Sequence, residues 1–164
     1  MSPSADEMRE EAYKAYVARR QAFEAAESER RRQAGQVAIW LDRSPDDAET
    51  FTRQLQAELY EVLGPLLRDK ELEIEAPFMT LDSADAVSGY IGQLIIPLAQ
   101  IASPVLTAAL VAWLKGRPSR KVRVEFHPSG KVKTVEAQTE EQVLSLAKAL
   151  DQEARARDPK AKTE

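Results

Sequence analysis

The chain has no cysteine and a single histidine among its 164 residues. The first absence excludes disulfides, thiolate metal sites and cysteine nucleophiles, and it is compatible with a reducing compartment, so a cytoplasmic location is expected. The second rules out a histidine metal cluster. It also makes any histidine-assisted serine depend on His127, which falls in a turn and is expected to carry an exposed ring. Carboxylates are plentiful, but Asp46 and Asp47 are explained by helix capping and Asp82 and Asp85 by the start of another helix, so no paired-acid or two-metal motif stands behind them. The glycines of GYIG and KGRP lack the spacing and strand-to-helix placement of a phosphate loop. These patterns predict no catalytic residue, no cofactor and no metal ligand. The opening MSPSADEMREEAYK is polar and acidic where an export signal is basic and then apolar, so no cleaved signal is expected.

Charge is missing from one long internal stretch, Ala86 to Leu114, which then turns basic in KGRPSRK. Two readings follow. One is a pair of buried helices in a soluble core, the first starting at the Ser83/Asp85 caps and the second running from Ser103-Pro104 to Gly116 with Leu106, Leu110 and Trp113 on its inner side. The other is a membrane-anchored or membrane-acting subunit at the inner membrane that inserts residues 91–114, with the basic flank as its cytoplasmic end. Gly89, Gly92, Pro97 and Pro104 interrupt a single span, and Gln93, Gln100, Ser103 and Thr107 dilute it.

Around that stretch the periodicities predict an α+β fold in three parts: a helical arm over 1–35, a domain over 36–150 and a charged, flexible tail over 151–164. Residues 5–33 lack Gly and Pro and place Glu10 with Lys14, and Glu27 with Arg31, at helical spacing. The arm's large apolar residues form only a thin stripe, which fits docking on another surface or a solvated arm. Arg30, Arg31 and Arg32 suit the helix dipole and need no ligand. QVAIWLD reads as a strand with Val37, Ile39 and Leu41 on one face and Trp40 on the other. Ser44-Pro45-Asp46-Asp47 caps a helix with Phe51, Leu55, Leu59, Val62, Leu63 and Leu66 on its apolar side, ended or broken at Gly64-Pro65. ELEIEAP is predicted to be a strand with Leu72 and Ile74 inward. KVRVEF and KVKTVEA form a hairpin, with a parity change between Val132 and Val135 that suggests a bulge. Thr139 and Gln142 open the last helix, whose stripe is Val143, Leu146, Ala147 and Leu150. The expected order is α, β, α, β, α, α, β, β, α, with a sheet of about four strands.

The charges are segregated: Asp42 to Asp85 holds 12 acidic and 4 basic residues, and Lys115 to Lys133 holds 7 basic and 1 acidic. Such asymmetry can steer a partner or a second copy, or neutralise itself across one domain. The basic face (Arg117, Arg120, Lys121, Arg123, Lys131 and Lys133) is the natural place for nucleic acid, but only Phe126 interleaves as an aromatic. A solvated sheet face or a protein contact is therefore expected there. Candidate partner-binding residues are Tyr13, Tyr16 and Phe23 on the arm, and Trp40, whose competing reading is ordinary core.

The stretch from VAIWL through ELEIEAP to LTAALVAWLKGRPSRKVRVEFHPSGKVKTVEAQTEEQVLSL resembles a small bacterial family, the effector-associated constant component, over residues 36–150. The features that carry the resemblance are the strand-helix-strand opening, the apolar helix ending in Trp113-Leu114, the basic residues after it, and the hairpin turn with Pro128 and Gly130. The arm is additional to that pattern. The resemblance implies a non-catalytic interaction or adaptor component of bacterial conflict (antiphage defence) systems. Its partner would be an effector or sensor protein encoded nearby, and a homo-oligomer is compatible with the charge pattern.

Overall fold

The computed structural model describes residues 4–47, 53–75 and 90–158. The order of elements is α1 (Ala5–Ala34), β1 (Gln36–Asp42), α2 (Arg53–Arg68), β2 (Tyr90–Pro97), α3 (Pro104–Gly116), β3 (Lys121–Phe126), β4 (Lys133–Ala137) and α4 (Glu140–Arg157). The fold is α+β, with four antiparallel strands in the order β2-β1-β3-β4.

Strand alternation divides the sheet into two faces. Ile39, Leu41, Leu94, Ile96, Val122, Val124 and Phe126 point to a core shared with Leu55, Leu59, Leu63 and Leu66 of α2, Leu106, Leu110 and Trp113 of α3, and Val143 and Leu150 of α4. The opposite face carries Trp40, Gln93, Arg123 and Glu125. The root of α1 lies against this second face, where Ala38 is fully buried and Ser28 and Arg31 reach Glu125.

Half of the uncharged run departs from expectation. Tyr90–Pro97 is strand β2, not a helix, and pairs with β1 along Gln36–Asp42. Gly92, Leu94 and Ile96 alternate inward against Gln93, a period of two that overrides the absence of charge. Pro97 starts a short 3-10 turn, and α3 begins as expected at Ser103-Pro104, with the Ser103 hydroxyl accepting from the Leu106 N–H. Among the described residues no helix is long and apolar enough to cross a membrane; residues 91–114 are divided between strand, turn and a 13-residue helix. The Ser83/Asp85 caps, Asp82 and Phe51 lie outside the described residues.

Other expectations also need correction. Residues 71–75 form no strand beyond one bridge, Glu75 to Ile95, because the Gln100 side chain takes the local backbone groups: it accepts from the Glu73 N–H and donates to the Glu71 carbonyl. Helix α2 runs through Gly64-Pro65 to Arg68, since burying Leu66 beyond the proline offsets the lost hydrogen bond. No bulge interrupts the hairpin. Val132 is exposed and precedes β4, whose register with β3 runs unbroken from Ala137 to Lys133. The final helix extends to Arg157, so residues 151–157 are not tail.

Candidate partner-docking site

Helix α1 is built as a self-sufficient rod. A capping box at Ser4 and Glu7 starts it, i,i+3 and i,i+4 pairs such as Lys14–Glu10 and Arg20–Glu24 line it, and Gly35 at φ +65° closes it. Thirty residues make it about 45 Å long. Met8, Tyr13, Tyr16 and Phe23 are 52–67% exposed along it, so large apolar side chains stand in solvent while only the last turns touch the body.

Those last turns hold a polar joint. Arg31, 6% exposed, donates to Glu125 at 2.9 Å, and Ser28 Oγ lies 3.0 Å from both Glu125 Oε1 and His127 Nε2. The ring of His127 is therefore buried, contrary to expectation, and Arg157 from α4 caps its carbonyl at 2.6 Å. Arg30 and Gln36 both reach Glu75, tying the root to the bridge beside β2. A serine touching a histidine invites a catalytic reading, but the proton logic differs. The Ser28 hydroxyl donates to Glu125, His127 Nε2–H donates to Ser28, and Nδ1, where an orienting acid would sit, has no partner. Burial pushes the His127 pKa down, with Arg31 and Arg32 adding to this and Glu125 and Glu29 opposing it. On the exposed rim, hydrogen bonds from Arg32 and Gln33 lower the Glu29 carboxyl to about 2.

The basic face does not exist as a free surface. Arg120 is 2% exposed. Its Nε and Nη2 clasp Asp47 at 3.1 and 2.8 Å, Nη2 reaches Glu58 at 2.7 Å, and the guanidinium stacks 3.9 Å from the Trp113 ring centroid. Arg117 shares the same two acids, Lys121 pairs with Glu136 and Arg123 with Asp42. Of the six residues of this face, Lys131 and Lys133 form no ion pair with a described residue, and Lys133 sits over Phe126. Asp42, Asp47 and Glu58 of the acidic segment thus pair with Arg117, Arg120 and Arg123 of the basic one.

Asp47 and Glu58 were hidden from sequence reasoning. The capping contacts expected around Ser44 do form, with Ser44 N–H donating to Asp47 and Asp46 N–H to Ser44 Oγ, but they close a turn, and α2 as described begins at Arg53. The buried Asp47 carboxylate is thereby free to meet Arg120. Burial alone would raise its pKa, but the hydrogen bonds from Arg120 and Ser44 and the charge of Arg117 outweigh burial and leave it lowered. Trp40 is half-buried on the second sheet face with Arg123 stacked 4.8 Å away, so it is neither core nor a free anchor.

Among the described residues no group of three His, Cys, Asp or Glu could hold a metal ion. One open apolar groove of about 670 Å³ runs between α3 and α4. Comparison with protein-family models, curated proteins and solved structures finds no match.

Proposed function

We propose that this chain is a non-catalytic docking component that holds an effector or sensor protein of a bacterial conflict system, with α1 as the element that engages it and the cytoplasm as its location. The observation that carries this reading is the arm: a capped 30-residue helix whose Tyr13, Tyr16 and Phe23 are all more than half exposed while its root is fixed to the sheet by buried polar contacts. Solvent-exposed aromatics at helical spacing on a preordered rod suit helix-in-groove recognition, because little ordering entropy remains to be lost on binding. The conflict-system context rests on the resemblance over residues 36–150.

The test is co-purification with the product of a neighbouring gene. Tyr13→Glu, Tyr16→Glu and Phe23→Glu together are expected to abolish the complex while circular dichroism and thermal melting stay as in the parent chain. Substitution is a cleaner probe than deleting the arm, which would strip Ser28 and Arg31 from Glu125. Unchanged binding by the triple variant would remove the arm from the function.

A further inference from the structure

Two surfaces of this chain are incomplete in opposite ways. Helix α3 carries no charge before Lys115 and is apolar nearly all round, the pattern of a helix with neighbours on every side. Its inner side has them, but its outer side, with Pro104, Ala108, Val111 and Ala112, faces the open groove of about 670 Å³ whose other wall is Leu144 of α4. Pro104, Ala108 and Ala112 recur every fourth residue and present nothing larger than a proline ring, so another helix could approach closely along this ridge. The arm is the converse: a polar helix whose large apolar side chains, Met8, Tyr13, Tyr16 and Phe23, are each more than half exposed.

We propose that the Met8–Phe23 segment of one copy lies in the α3/α4 groove of a second copy. This goes beyond the docking of an effector or sensor: it keeps α1 as a docking element and names a second copy of the chain as its occupant. Three observations choose this occupant. The arm root lies on the sheet face opposite α3 and α4, so a chain's own arm starts on the wrong side of its own body. Residues 8–23 contain four basic and two acidic side chains, and the groove rim, where Glu140 pairs with Lys115 at 2.7 Å and Glu141 follows in the first turn of α4, keeps a net negative charge. Tyr13, Tyr16 and Phe23 are 53–67% exposed, so each can still lose about 90–150 Å² of the area an aromatic buries. With the matching groove surface, two reciprocal contacts come to about 1,100–1,800 Å², close to what specific dimers bury.

Sedimentation velocity on the full chain across micromolar concentrations tests the proposal. The parent is expected to self-associate. An arm variant (Tyr16→Glu with Phe23→Glu) and a groove variant (Ala108→Glu with Ala112→Glu) each alter exposed positions and should weaken association at least about tenfold while melting like the parent at dilutions where all are monomeric. Mixed in equal amounts, they should form a one-to-one dimer, since one intact arm and one intact groove remain. A parent that stays monomeric, or a mixture that does, overturns the proposal. So does a groove variant that associates like the parent while the arm variant does not, because arms would then pair with each other. The co-purification assay separates the two readings: a monomeric parent whose arm variant still loses the neighbouring product keeps the docking reading and removes self-pairing. A self-associating parent whose arm variant retains the product does the reverse.

Discussion

Among the described residues two arginines are buried, each meeting carboxylate across a junction of elements, and they are built to different standards. Arg120 has a partner for every nitrogen: Asp47 for Nε and Nη2, Glu58 for Nη2 again, and the Trp113 carbonyl for Nη1, with the Trp113 ring stacked against the guanidinium. Arg31 has one carboxylate, Glu125, and its Nε is orphaned, as is His127 Nδ1 beside it. An unpaired buried polar group carries its full desolvation cost, so the first junction is a staple and the second a weaker joint. The difference follows function as proposed: the staple joins α2, α3 and β3 into one body, and the joint fixes the arm.

The largest expected effect is at the staple. Arg120→Ala leaves the Asp47 carboxylate buried without its counter-ion and should destabilise the body by about 3–5 kcal/mol in urea unfolding. Arg31→Ala should cost about 1–3 kcal/mol, because Ser28 still bonds Glu125. Equal losses for the two would break the distinction between staple and joint. Next comes Gly116→Ala, since a Cβ there would collide with Arg120 Nη1, which is pinned and cannot give way. A loss of about 1–3 kcal/mol is expected, and Arg120→Ala should relieve most of it in the double variant.

Acid separates the two junctions by pH. His127 faces Ser28, Glu29, Arg31 and Arg32 from α1 and Glu125 from β3, with Arg157 of α4 on its carbonyl, and its pKa lies below the ordinary 6.5. A base with a lowered pKa binds more protons when unfolded, so its share of stability is complete above pH 6.5 and declines as pH falls below it. The lowered carboxyls run on a lower scale. Hydrogen bonds from Arg120 hold Glu58 below its ordinary 4.5, and Asp47 lies below 3.8 despite its burial, so the staple weakens only as pH falls through and beneath those values. Unfolding free energy measured from pH 7 to 5 should slope in the parent and flatten in His127→Gln, with the steeper loss below pH 4.5 unchanged. The smallest effect belongs to the exposed part of the arm: at dilutions where the chain is monomeric, Tyr13→Ser or Phe23→Ser should shift stability by no more than about 0.5 kcal/mol, and a larger shift would mean the arm packs on its own body.

Local grammar made much of this legible from sequence. The Ser103-Pro104 start, the Thr139 cap, the alternation of Val122, Val124 and Phe126 and the gap-free arm all depend on neighbours within a few residues, and each stands in the structure as expected. Failures occur where a distant partner decides. Tyr90–Pro97 is short, uncharged, preceded by Gly89 and ended by Pro97 in sequence, which suits a helix fragment or an inner strand equally, and only its pairing with β1 resolves it. Arg120 looked like one of a row of surface bases because the acids that bury it come from positions 73 and 62 residues earlier. The burial of His127 has the same origin: the helix that covers it lies about a hundred residues before it.

Gly35 has one further consequence. It is the single residue between α1 and β1, and its carbonyl accepts from Leu98 N–H just beyond β2. The rod is thus joined without a flexible spacer to an inner strand of the sheet, hydrogen-bonded on both edges. A force applied near Tyr13 acts on a lever whose short end is β1 itself, and a partner that tilts the arm strains that strand, and Trp40 with it, before it disturbs any helix of the core.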